Sequence, residues 1–248
     1  MSGSEKEKDK EDIAIRPKPG VGDYAITIAK AGISGIPIIG GSAAEVFAAI
    51  VTPPLVKRRD KWIESIGEKL KQLEEIVASF QIENLSRNDA FITIVTHATQ
   101  IALRNHQTEK IEALQNAVLN SALSIPIEED LQLMFLNFVD SFTPWHLRIL
   151  KYFDNPEELL RLRGNTSRNI FMGGPATYLE IAFPELKENR DFYDQVANDL
   201  SNRGLMIKNG NSLHVTMSKP GMLSSRTTAM GKKFLQFISF PIESLKHQ

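Results

Sequence analysis

No cysteine occurs in the 248 residues, which removes disulfides, thiolate zinc sites and cysteine nucleophiles from consideration. A surplus of either charge is missing too. The 29 lysines and arginines against 30 aspartates and glutamates leave a formal net charge of -1, so no global field draws the chain to nucleic acid or to an anionic membrane. Any such site has to come from local clustering. Catalytic spacing is also lacking. None of His97, His106, His146, His214 and His247 stands in a His-Glu-x-x-His or similar metal-ligand spacing. The glycines from Gly32 to Gly41 follow no strand pattern and lead to no Gly-Lys-Ser/Thr ending, and Gly231-Lys232-Lys233 lacks the upstream glycine and the hydroxyl of a phosphate loop. The expectation is therefore a protein that is not an enzyme, with no cofactor, no metal and no inferred small-molecule substrate.

An uninterrupted apolar run long enough to cross a bilayer is absent as well. The least polar stretch, 24–52, is broken by Pro37 and Gly40-Gly41 and carries Lys30 and Glu45. Each half is too short for a hydrocarbon core of roughly 30 Å, and a charge at its centre costs roughly 2.5–3.5 kcal/mol. The expected form is an apolar, small-residue helical hairpin whose second helix starts at Ser42, where Ser42 and Glu45 have the spacing of a capping box. The stretch is followed at once by Lys57, Arg58, Arg59 and Lys61, and an apolar element with basic residues behind it fits a membrane surface. Two readings stay open. In one the hairpin is buried in a soluble bundle. In the other Ile33, Ile36, Ile38, Ile39, Val46, Phe47 and Ile50 face lipid on activation, with the four basic residues on anionic headgroups. Ahead of it, residues 1–22 alternate Glu, Lys and Asp before Arg16-Pro17-Lys18-Pro19-Gly20 and are expected to form a solvated tail, not a secretory leader.

What is present is helical periodicity. Pro53-Pro54 reads as the start of a long helix, 54–80, with Leu55, Trp62, Ile66, Leu70, Leu73, Val77 and Phe80 on one face. If the bundle leaves that stripe uncovered, it favours self-association. Ser86 with Asp89 reads as the cap of the next helix, which runs to about 104, and helices over 108–123 and 127–141 follow. The last is apolar nearly all round and belongs in a core. These elements form a helical domain over 23–141.

From 142 to 248 the pattern changes. Thr143-Pro144 caps a helix, Asn155-Pro156 ends it, and Gly173-Gly174-Pro175 reads as loop. A helix over 189–203 ends at Gly204, and Asn209-Gly210 separates the strand-like runs Leu205–Lys208 and Asn211–Met217, a hairpin signal. Leu213, Val215 and Met217 are the expected inward side of that hairpin, and a closing helix starts near Thr227. Three helices, a wing and a closing helix give a winged-helix-like α+β domain. The fold class is thus mainly α: an N-terminal helical hairpin and helical bundle followed by that domain. The outward face of 190–203 carries Asp191, Asp194 and Asp199, which repel phosphates, while Lys208, Lys232 and Lys233 could touch a nucleic-acid backbone without reading bases. Protein packing is the favoured use of the module, with nucleic acid the lesser partner.

The run Leu114-Gln-Asn-Ala-Val-Leu-Asn-Ser-Ala-Leu, the acidic Glu128-Glu-Asp and Phe142-Thr-Pro-Trp-His-Leu-Arg-Ile-Leu-Lys, together with the glycine-rich apolar segment and its basic follower, resemble the bacterial abortive-infection alpha (Abi-alpha) proteins. The resemblance spans about 24–240 and implies a bacterial source and a role in phage defence. It brings no catalytic residues. On this reading the chain is a cytoplasmic protein, peripheral at the inner membrane, that acts by self-association or partner binding. A winged-helix DNA-associated regulator and a plain scaffold are the alternatives.

Overall fold

In the computed structural model, residues 42–164, 170–207 and 213–241 are described. The chain divides into two compact units, 1–52 and 53–248, so the boundary expected near 142 lies inside the second. The described part of the first unit is the beginning of helix α1, Ser42–Ile76. The expected break at Pro53-Pro54 does not occur, because both prolines lie within α1. A proline lacks the N–H owed to the carbonyl four residues back, but its fixed φ is a helical φ. Residue preference at this point suggests a start, yet the helical path admits both rings. Among the described residues no helix is long and apolar enough to cross a membrane.

In the second unit the periodic face of α1 is covered. Trp62, Ile66, Leu70 and Leu73 are buried, and the indole Nε1 of Trp62 donates to Thr99 Oγ1 at 2.9 Å. The stripe read as a self-association surface is therefore used within the chain. The helix stops at Ile76 rather than at 80, and a 3-10 turn, Ile82–Arg87, carries the chain to α2, Asp89–Arg104. The cap of α2 is Asn88, whose side chain accepts from Phe91 N at 3.0 Å. Ser86, the expected cap, instead donates its hydroxyl to Glu83 O.

Helices α3, Thr108–Ala122, and α4, Glu129–Ser141, follow, and α4 buries Phe135, Leu136, Phe138 and Val139 as its apolar circumference demands. Next come α5, Pro144–Asp154, α6, Pro156–Leu162, strand β1, Met172–Gly173, and α7, Pro175–Ala182. A short 3-10 turn, Pro184–Leu186, leads to α8, Arg190–Asn202. That helix closes as expected at Gly204, whose φ of +74° suits glycine. Leu205 N and Gly204 N reach back to Leu200 O and Ser201 O, the two bonds of a Schellman end.

Among the described residues, the two runs expected to form the wing pair with other segments and not with each other. Strand β2, Met217–Ser218, pairs antiparallel with β1, Met172 opposite Ser218 and Gly173 opposite Met217. The chain just before β2 is taken up in the same way, since Leu213 O accepts from Ala176 N at 2.9 Å. Met206 bridges to Thr227 instead, with Ile207 N donating to Arg226 O and Thr228 N to Leu205 O. Leu213 is buried, but Val215, expected inward, is exposed. A long-range partner has won both strand segments, which local turn chemistry cannot foresee. Residues 208–212, with the Asn209-Gly210 turn, lie outside the described residues.

After β2 the chain makes one helical turn, α9, Lys219–Met222, and ends its described part in α10, Ala229–Ile238. Thr228 caps α10, its hydroxyl accepting from Gly231 N at 3.0 Å. Gly231 is required by close approach, because a Cβ there would stand 2.2 Å from Leu205 O. α10 lies on α3 and also meets α4 and α5. Phe234 stands edge-on to Phe135 at 5.3 Å between ring centres and to Phe142 at 6.1 Å. Two asparagines of α3 fix its far end. Asn120 Nδ2 has the carbonyls of Ser239 at 2.7 Å and Phe237 at 2.8 Å, and Asn116 Nδ2 donates to Ile238 O at 3.0 Å.

Replacing Asn120 by alanine leaves those buried carbonyls without a donor, and a lost buried hydrogen-bond partner costs about 1–3 kcal/mol. In urea denaturation of the full chain Asn120→Ala is expected to lower the unfolding free energy by that amount, with an earlier midpoint. Asn84→Ala, which removes only an exposed 3.3 Å bond to Gln81, is expected to stay within about 0.5 kcal/mol of the parent.

Candidate functional site

The residues nominated from sequence fall into three states. Ile33, Ile36, Ile38, Ile39 and Lys208 lie outside the described residues, and Val46 is placed only as part of α1. Phe47 and Ile50, in the first unit, are 56% and 66% exposed. In the second unit Lys57, Lys61, Lys232 and Lys233 are exposed. Arg58 and Arg59 are held within the protein: Arg58 Nη1 reaches Leu103 O at 3.5 Å, and Arg59 pairs with Asp60 at 2.8 Å. Of the four basic residues expected to meet headgroups, two are thus spent on the chain itself. Sequence reading also missed Phe171 and Met172, at the start of β1, which are 76% and 69% exposed. Their neighbours Gly173-Gly174-Pro175 read only as loop.

Two clusters of titratable groups in the second unit are built around histidines. At the junction of α4 and α5, His146 is buried and stacked on Phe142, with ring centres 4.6 Å apart. Its Nδ1 accepts from Thr143 N at 3.2 Å and lies 2.9 Å from Thr143 Oγ1. Its Nε2 faces Asp199 at 3.5 Å, and Arg203 lies over the Phe138 and Phe142 rings. A threonine, a histidine and an aspartate in a row suggest nucleophilic chemistry. Here, however, the Nδ1 lone pair is taken by the backbone N–H, and Thr143 and His146 form the reciprocal box that caps α5. Burial holds the imidazole below its ordinary pKa, against the opposing pull of Asp199 and with help from the charges of Arg203 and Lys110.

The second place is α8. His214 Nε2 lies 2.8 Å from Asp194 Oδ1, Arg190 approaches the same carboxylate at 3.5 Å, and Tyr193 donates to Glu180 at 2.8 Å. Two of the three aspartates that would repel a phosphate backbone therefore have partners inside the protein: Asp194 faces His214 and Arg190, and Asp199 faces His146. Among the described residues no three metal-binding side chains come together.

A cavity of about 220 Å³ opens between α3, α5 and α10. Glu109, Glu112 and Asn116 reach it from α3, and Arg148 and Lys151 from α5. Glu109 is ion-paired to Arg148, and that hydrogen bond holds its carboxyl below the usual range. None of these residues was nominated from sequence. Glu109, Glu112 and Asn116 recur at helical spacing on one face of α3, but the cations lie more than thirty positions away, and only the packing of α5 on α3 joins the two sets.

No protein-family model, curated protein or solved structure matches the chain.

The His146 cap has a pH signature. The imidazole titrates near 6.5 in the unfolded chain and lower in the folded one, so the folded protein binds fewer protons. The cap's contribution is complete above about pH 6.5 and is lost progressively as the pH falls below it. Urea midpoints measured at pH 7.5, 6.5 and 5.5 (about one unit apart) are expected to fall with acidity in the parent, with a shallower fall in His146→Gln.

Proposed function

We propose that the chain works without covalent chemistry, by engaging a membrane surface through the apolar stretch 24–52 and assembling there. The observation that carries this reading is the exposure of Phe47 and Ile50, 56% and 66%, on α1. Burying a side chain of this kind gains roughly 1.5–3 kcal/mol, so two of them standing in water favour a second, apolar environment. Lys57 and Lys61, exposed and next in sequence, supply attraction to anionic lipid worth about 1 kcal/mol each. Arg58 and Arg59 do not share in this role, since their guanidinium groups already have partners. The Abi-alpha resemblance adds the setting: a bacterial effector of phage defence, cytoplasmic and peripheral at the inner membrane. Phe171 and Met172 offer apolar surface for a protein partner in the assembled state.

A second reading rests on the C-terminal part. Helix, strand, helix, helix, strand is the order of α5, β1, α7, α8 and β2, which supports a winged-helix-like module, with exposed Lys232 and Lys233 on α10 as contacts to a nucleic-acid backbone. The aspartates of α8 weigh against a groove-reading role for that helix.

Flotation with vesicles of phosphatidylglycerol and phosphatidylethanolamine separates the two. The full chain is expected to float. Phe47→Glu with Ile50→Glu is expected to abolish flotation, and Lys57→Ala with Lys61→Ala to weaken it about tenfold or more at low salt. Absence of flotation at every composition tried rejects the proposal. Salt-dependent duplex binding that is lost in Lys232→Glu with Lys233→Glu would establish the second reading in its place.

A further inference from the structure

The cavity between α3, α5 and α10 has unspent chemistry. Its apolar lining is made by Ala113, Leu147, Leu235, Ile238 and Phe240. Its four charged residues, Glu109, Glu112, Arg148 and Lys151, sum to zero. One pair is already satisfied internally, since Arg148 is paired to Glu109 and lies over the Trp145 ring. Glu112 and Lys151 have no ion-pair partner among the described residues.

A third group is unspent. Asn116 is only 6% exposed, yet it lines the cavity. Its Nδ2 is committed to Ile238 O at 3.0 Å. A carbonyl can only accept, so the orientation of the amide is settled chemically, and Oδ1 accepts no hydrogen bond from a described side chain or loop. It is not among the sealed, unpartnered atoms of the core, so it stands as an acceptor open to the cavity.

A carboxylate and an ammonium without ion-pair partners among the described residues, and an acceptor, lining a partly apolar cavity, do not suit an ion of one sign. The net charge of zero gives such an ion no field, and each unspent charge would meet its own kind. They suit a ligand that carries both charges. The volume of about 220 Å³ is below the roughly 300 Å³ at which drug-sized sites begin, so nucleotides are too large. We propose that the cavity binds a small zwitterion, specifically a free α-amino acid with an apolar side chain. Its ammonium meets Glu112 and Asn116 Oδ1, its carboxylate meets Lys151, and its side chain lies on Leu147, Leu235 and Phe240.

The test uses the full chain and isothermal titration with L-leucine and L-phenylalanine. Two analogues of leucine carry one charge each, isoamylamine and 4-methylpentanoate. Phosphoethanolamine carries both charges without the apolar side chain and stands for a lipid headgroup. One of the two amino acids is expected to bind with a dissociation constant near 1 mM, and all three analogues at least tenfold more weakly. Glu112→Gln and Lys151→Met, both exposed positions with no internal partner, are each expected to weaken binding roughly three- to tenfold while circular dichroism stays that of the parent. No heat from either amino acid up to about 20 mM overturns the proposal. So does a one-charge analogue binding as well as leucine, or parent-like affinity in both variants. Phosphoethanolamine binding as well as leucine would overturn the amino-acid assignment in favour of a lipid headgroup.

Discussion

The second unit depends on how the C-terminal end of α10 is satisfied. A helix leaves its last carbonyls without intrahelical donors. α10 ends against α3, where Asn116 is almost buried and Asn120 fully so. The donors come from these two side chains, one helical turn apart on α3. Asn120 alone has the carbonyls of Asn116, Gln236, Phe237 and Ser239 within 3.2 Å of its Nδ2, more acceptors than it has hydrogens, and its own Oδ1 is left without a donor. That cost is tolerated because the clamp sets the depth at which Phe234 and Phe237 enter the ring cluster of Phe135, Phe138 and Phe142. Fixing α10 also brings Leu235 and Phe240 beside α5, so the cavity exists only because the clamp does.

The same clamp shows what could be read from the sequence and what could not. Asn116 and Asn120 stand within the Leu/Asn/Ala run that carries the Abi-alpha resemblance, and the sequence marks them only as polar residues in an apolar helix. Their role is defined by carbonyls more than a hundred positions away. Periodicity, by contrast, placed α2, α3 and α4 closely, because an apolar stripe is local information. Thr143-Pro144 and Asn155-Pro156 were equally legible, since a cap and a proline act within one turn. Local signals misled where tertiary partners competed with them. Pro53-Pro54 read as a start although α1 runs through it, and Leu213–Ser218 read as half of a local hairpin although its described bonds go to the segment from Phe171 to Ala176. The cavity was invisible for the same reason, its two walls belonging to helices far apart in sequence.

Charge follows a similar division. The acidity of α8 was legible and argued against phosphate contact. The structure adds that Asp194 and Asp199 are positioned by histidines, His214 and His146, and that Arg190 approaches Asp194. Only that arginine brings a permanent positive charge, so the helix stays acidic. Lys232 and Lys233, on a different helix, have no ion-pair partner among the described residues.

The core bears directly on the membrane reading. Among the described residues of the second unit the buried apolar cluster begins at Trp62 and ends at Ile238. Phe47 and Ile50 already stand largely in water, so placing them in lipid is not set against the roughly 2–5 kcal/mol lost for each large core side chain removed. A membrane-binding element drawn from the core would have to unfold the protein to act. Side chains that already stand in water need only a surface that offers them more than water does, and on the proposed reading Lys57 and Lys61 would bias which surface that is.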